Sequence, residues 1–171
     1  LSHLVSAADL EISGLNNRYI RPGIGASLAA STEPLDPKQG VNDFVAPKVK
    51  VPTNLFLRIE RPKQDLAGGY LRAALELRTE TNADSVRIDE RTFPLEYEPT
   101  AAIAYQLSES DVWSREFRGF FIGNLLGEKD ANLMSVSPHR PGRIPLVFVH
   151  GTASSSGRWA DLANDLLSDP R

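Results

Sequence analysis

The run Ile144-Pro145-Leu146-Val147-Phe148-Val149 constrains what this chain can fold into more than any other stretch. Its large residues are apolar without alternation, so neither side of an extended strand here would be polar. Such a strand belongs in the interior of a parallel sheet covered by helices on both faces. Left uncovered, each side chain of this kind forfeits roughly 1.5–3 kcal/mol of burial. The segment is therefore expected to be a central strand of an α/β core. One helix after it and a few strands before it are too little to build that core, so the chain is expected to persist through association.

The segments before it have a different character. Leu4, Val5, Ala8, Ile12 and Leu15 approximate a helical period, which predicts a short helix within residues 1–20. From Arg21 to Pro52 the chain is rich in Pro, Gly, Ala and Ser, which predicts an extended arm without regular structure. Strands are expected over Asn54–Glu60, Gly69–Thr79 and a pair within Val86–Tyr97, with a turn at Asn82–Ser85 and a tight connection at Asp89-Glu90-Arg91. In the second of these, Leu71, Ala73, Leu75 and Leu77 alternate with Arg72, Glu76 and Arg78, the pattern of an antiparallel sheet wetted on its polar side. Pro99 and Thr100 open a helix over Ala101–Leu107. The rings of Trp113, Phe117, Phe120 and Phe121 are expected to pack in a core or domain junction. Asn132–Val136 is a brief strand candidate, followed by a turn over Ser137–Gly142.

After Val149 come His150-Gly151-Thr152-Ala153, then Ser154-Ser155-Ser156-Gly157, then a helical pattern. Trp159, Leu162, Ala163, Leu166 and Leu167 stand at i, i+3, i+4, i+7 and i+8, an apolar stripe with Arg158, Asp161, Asn164 and Asp165 predicted to face outward. One of the serines is expected to cap the first turn. This order resembles the third strand, oxyanion loop and first helix of α/β-hydrolases. The stretch from Asn17-Arg18-Tyr19 through the β segments also resembles the N-terminal extension of some bacterial members. The resemblance implies an α/β fold class: an incomplete α/β-hydrolase fold beginning at residue 131. Before it come a helix and arm (1–52) and a β-rich accessory region (53–130). In that family the loop donates a backbone N–H to the oxyanion of the tetrahedral intermediate. His150, Gly151, Thr152 and Ala153 would form it, with Gly151 permitting close approach and the amides of Thr152 and Ala153 as donors.

A working site of this family also needs a nucleophile, an acid and a late histidine, in that chain order. His3, His139 and His150 are the only histidines, and all precede the last helix. The resemblance therefore implies an N-terminal portion of a serine carboxylic-ester hydrolase, esterase- or lipase-like. It would be inactive alone and use neither cofactor nor metal. Two rival motifs fit less well. Ala153 to Gly157 resembles a nucleophile elbow around Ser155, but His150 to Thr152 intervene where an elbow turns at once. Gly151 to Gly157 is too long for a phosphate loop and lacks its Lys.

Composition narrows the remaining classes. At 41% hydrophobic and 24% charged residues the chain is an ordinary globular one, which sets aside disorder and fibrous structure. A net charge of −3 without a basic run argues against nucleic acid. The absence of cysteine excludes disulfides and thiolate metal sites but leaves the compartment open, cell envelope or secreted if a signal segment was removed. No apolar stretch reaches the ~20 residues that cross a bilayer. The partners expected are a C-terminal part of the same protein or another copy, with a small ester or lipid as the parent's substrate. The alternative is a non-catalytic binding or tethering module.

Overall fold

The structure, a computed structural model, describes residues 3–10, 14–32, 49–109, 135–138, 142, 144–151, 154 and 156–169. The β-branched and apolar alternation of Lys50–Ile59 makes the longest strand, β3, and the other elements are arranged around it. Its neighbours are β2 (Ala26–Ser31) and β4 (Ala73–Thr79), and β1 (Leu4–Ser6) completes an antiparallel sheet in the order β1-β2-β3-β4. A second sheet is the hairpin of β5 (Ser85–Ile88) and β6 (Arg91–Pro94). Its turn passes through Asp89 at φ 51°, a left-handed position that a short polar side chain tolerates. Three helices are described: α1 (Pro62–Ala67), α2 (Pro99–Ser108) and α3 (Ala160–Ser168). Proline opens both α1 and α2, where its missing N–H costs nothing.

The hairpin lies on one face of β3. Phe56 packs with Ile24, Ala83, Ile88 and Phe93 around the buried trio Val86, Leu95 and Tyr97. The Tyr97 hydroxyl donates to the carbonyl of Ala83 at 2.6 Å, and burial pushes its pKa up to about 12. Residues 21–25 run beside this cluster through bridges from Arg21 to Tyr97 and from Ile24 to Leu95. Gly23 is required there, because a Cβ would fall 2.3 Å from the backbone carbon of Leu95. Toward the other end of β3, α2 supplies Ile103 and Leu107 to a second cluster with Ala160, Leu15 and Leu167.

The opposite face of β3 loses cover along its length. Val51 and Thr53 are buried, whereas Leu57 is 55% and Ile59 37% exposed. Register places Leu57 opposite Leu75 and Leu55 opposite Leu77, so β4 continues the same apolar face, with Leu75 66% exposed. The polar side predicted to be wet is instead the more enclosed one. There Glu76 accepts from Arg58 and Arg78 and sits across from Phe56.

The fold differs from the α/β expectation. Among the described residues six strands form two antiparallel sheets with few helices, and no parallel, helix-covered sheet is present. The reason is local: β2, β3 and β4 reach each other by antiparallel pairing, and Ile144–Val149 joins no sheet. Smaller readings change with it. The predicted N-terminal helix is β1 followed by a 3₁₀ turn at Ala7–Asp9. The predicted arm contains β2 and the start of β3, because pairing along the whole of β2 with the long β3 overrides the weak strand propensity of its Ala and Ser residues. The hairpin and the helix after Pro99 stand where predicted, while the turn expected at Asn82–Ser85 lies at residues 80–82, with Ser85 opening β5. Trp113, Phe117, Phe120 and Phe121, and residues 132–134 of the brief strand candidate, lie outside the described residues; Ser135 and Val136 belong to no strand.

The two arginines hold the Glu76 carboxyl at about 2, below its ordinary 4.5. A carboxylate depressed on folding stabilises above its unfolded pKa and loses that contribution as pH falls through the folded value. Acid titration of unfolding should therefore show stability falling between pH 4.5 and about 2. In Glu76→Gln that portion of the curve should flatten, as read by circular dichroism.

Candidate functional site

The positions predicted to carry chemistry fall on two differently built regions. The first is α3, which is well anchored. Its buried side is Ala160, Ala163 and Asn164, while Leu162 and Leu166 are 43% and 50% exposed. The stripe read from the sequence is thus rotated, with a polar residue inward. The physical cause is hydrogen bonding. Asn164 Oδ1 accepts from Thr100 Oγ1 at 2.9 Å, and Asn164 Nδ2 donates to the carbonyl of Asn17 at 2.9 Å. The loop 16–19 clamps the outer side of the helix. The Asn16 amide donates to Asp161 at 2.7 Å and the Tyr19 hydroxyl to Asp165 at 2.7 Å, which raises the Tyr19 pKa. A 3₁₀ turn at Ser156–Trp159 precedes α3, whose N-cap position is Trp159 with no side-chain cap; of the serines expected to cap, Ser155 lies outside the described residues.

The second region is the segment leading into it. Ile144 to His150 has no strand or helix assignment, and Ile144, Leu146, Val147 and Val149 are 95%, 67%, 66% and 78% exposed. The expectation of a sandwiched central strand is therefore overturned, since no described sheet or helix covers either of its sides. One contact ties it down: the Phe148 ring stacks on Trp159 with centroids 5.5 Å apart and planes at 26°. Trp159 Nε1 is buried without an acceptor among the described residues.

His150 and Gly151 follow, both exposed, with His150 Nδ1 3.1 Å from the Gly151 carbonyl. A Cβ added at Gly151 would meet nothing within 4 Å, so no close approach requires glycine there. Thr152 and Ala153, the expected amide donors, and Ser155 lie outside the described residues, as does His139. His150 and Gly151 are adjacent, and among the described residues no hydrogen bond or ion pair joins either to a serine hydroxyl or a carboxylate.

One pairing escapes sequence reading. Ser31 and Lys50 are opposed in the β2–β3 register, and Lys50 Nζ donates to Ser31 Oγ at 2.7 Å. Serine beside lysine is a known catalytic arrangement, but a base must be neutral to take a proton. Here Lys50 pairs with the Glu109 carboxylate, which it holds below its ordinary pKa, and lies 4.1 Å over the Tyr105 ring. Both Ser31 and Lys50 are shut off from solvent at 0% and 2% exposure. The pair is a buried brace between sheet and α2. No spacing in the sequence signals it, because 18 residues separate the partners and only strand register joins them.

Among the described residues no cluster of three or more His, Asp or Glu could hold a metal ion, and no helix is long and apolar enough to cross a membrane. A shallow depression of about 390 Å³ is lined by Glu76, Leu77, Arg78, Asn82 and Ala83, and His150 is not among its lining residues.

Asn164→Ala should strand the Asn17 carbonyl and leave Thr100 without its acceptor. Unpaired buried polar groups cost about 1–3 kcal/mol each, so thermal melts should show a clear loss of stability. Asn164→Asp keeps an acceptor for Thr100 but sets a buried carboxylate against the Asn17 carbonyl, and should lose at least as much.

Comparison of the chain with family models, with curated proteins and with solved structures finds no match.

Proposed function

We propose that this chain is a non-catalytic binding module that docks to a protein partner through Ile144–Val149, the segment pairing with a sheet edge of that partner. The observation that carries this reading is the exposure of a contiguous apolar, β-prone run whose backbone belongs to no described sheet. Exposed apolar patches of this kind mark interaction sites, and strand addition supplies hydrogen-bond partners for an unpaired backbone. Phe148, stacked on Trp159, holds the run against α3 and presents the remaining side chains outward.

A second reading keeps the chain as part of a serine carboxylic-ester hydrolase acting on a small ester or lipid. In it, His150 to Ala153 would supply oxyanion donors, and other polypeptide would supply the nucleophile, acid and histidine. The Phe148–Trp159 stack favours it, because it joins the end of the apolar run, through the His-Gly loop, to the helix that follows.

Two measurements separate these readings. An exposed side chain contributes little to the isolated fold, so at a concentration where the chain is monomeric Val147→Asp should move the thermal midpoint by no more than about 2 °C. A fall several times larger would show Val147 packed in a core and end the docking reading. Purified chain should leave a short-chain p-nitrophenyl ester unhydrolysed beyond the buffer rate. Turnover abolished by a serine-directed phosphonate would favour the hydrolase.

A further inference from the structure

Two uncovered surfaces of this chain complement each other. One is the docking run, six residues long with Pro145 as the only position lacking an N–H. The other is β4, which ends the order β1-β2-β3-β4 and has no strand on its outer side among the described residues. Its seven residues contain no proline, so its outward N–H groups can pair, whereas the Thr79 carbonyl at its end already accepts from the N–H groups of Asn82 and Ala83. The face beside that edge is the apolar one formed by Leu57, Ile59, Leu75 and Leu77.

Resting on the docking reading above, we propose that the partner is a second copy of this chain. The 144–149 run of each protomer adds as a strand to the β4 edge of the other, in a reciprocal exchange about a twofold axis. Within one chain the two surfaces stay apart: the run is stacked on Trp159 beside α3, α3 packs against α2, and both surfaces remain exposed. Twofold exchange covers both surfaces of both copies and leaves none over. A head-to-tail contact would leave one of each and continue as a chain.

Length and area agree with this. A six-residue run matches a seven-residue edge, and a proline is tolerated in a strand that becomes outermost. Successive strand residues point to opposite sides, so each junction lays two of the run's four exposed side chains, Ile144 with Leu146 or Val147 with Val149, on the four of the receiving face. At their exposures, two junctions bury roughly 500–800 Å² of side chain. The paired backbones add to this, reaching the scale of about 1,000 Å² that a specific interface needs.

Sedimentation equilibrium of the full chain up to about 100 µM should show a monomer–dimer equilibrium that saturates at two copies. Val147→Asp on the run and Leu75→Lys on the edge should each weaken the dimer at least tenfold, with circular dichroism spectra like the parent's. The chain has no cysteine, so a variant carrying both Val147→Cys and Leu75→Cys should be joined between copies by a short bismaleimide. A chain that stays monomeric throughout overturns the exchange. So does a dimer weakened by Val147→Asp but indifferent to Leu75→Lys. In either case an unchanged midpoint in Val147→Asp leaves the docking reading standing, whereas a collapsed midpoint removes that reading as well.

Discussion

The side chain of Asn54, wholly buried on β3, donates to the carbonyl oxygens of Ile24 and Glu96 at 2.9 Å each. These two bonds fasten the long sheet to the segments that carry the hairpin. Around them, Gly25 adopts φ +94° with its α-carbon so close that a Cβ would fall 2.4 Å from the Asn54 amide. Replacing this buried amide with an apolar residue of the same size would strand the Glu96 carbonyl, whereas that of Ile24 keeps the Glu96 N–H. With that crossing in place, Phe56 meets the Val86, Leu95 and Tyr97 cluster, and α2 takes the remaining covered part of β3.

Polar contacts, more than apolar stripes, decide which surfaces are inside. Asn164 is buried on α3 while Leu162 and Leu166 are not. Glu76 is enclosed between two arginines while Leu75 beside it is open. Arg18 reaches the buried Glu98 carboxylate, and Arg72 the buried Asp65. Each of these carboxylates leaves water in company with a guanidinium, which limits its desolvation cost. The apolar side chains displaced outward gather on the β3–β4 face and on Ile144–Val149, and those two surfaces carry the functional reading.

Much of the local structure was legible in advance. The Asp89-Glu90 turn, the strands beside it and the helix after Pro99 follow from turn chemistry, alternation and the fixed φ of proline, all properties of a few neighbouring residues. The β2 strand was hidden because Ala26–Ser31 lacks the large alternating residues that announce a strand; its pairing comes from β3, whose partners stand 19 to 29 positions further along the chain. The Ser31–Lys50 brace was hidden for the same reason. At the candidate site, the order of apolar run, His150-Gly151 and helix was readable, but the surroundings of that run were not.

Local physical chemistry in the chain settled the Asp89-Glu90 turn, the strands on either side of it and the helix after Pro99, since propensity and periodicity act over a few residues. Whether an apolar residue is covered depends on what the rest of the fold brings to it, which no local pattern contains. Ile144–Val149 carries the pattern of a core strand, yet the antiparallel sheets close around β3 without it and leave it facing solvent. Its amino-acid pattern made it greasy; tertiary packing alone made it a surface.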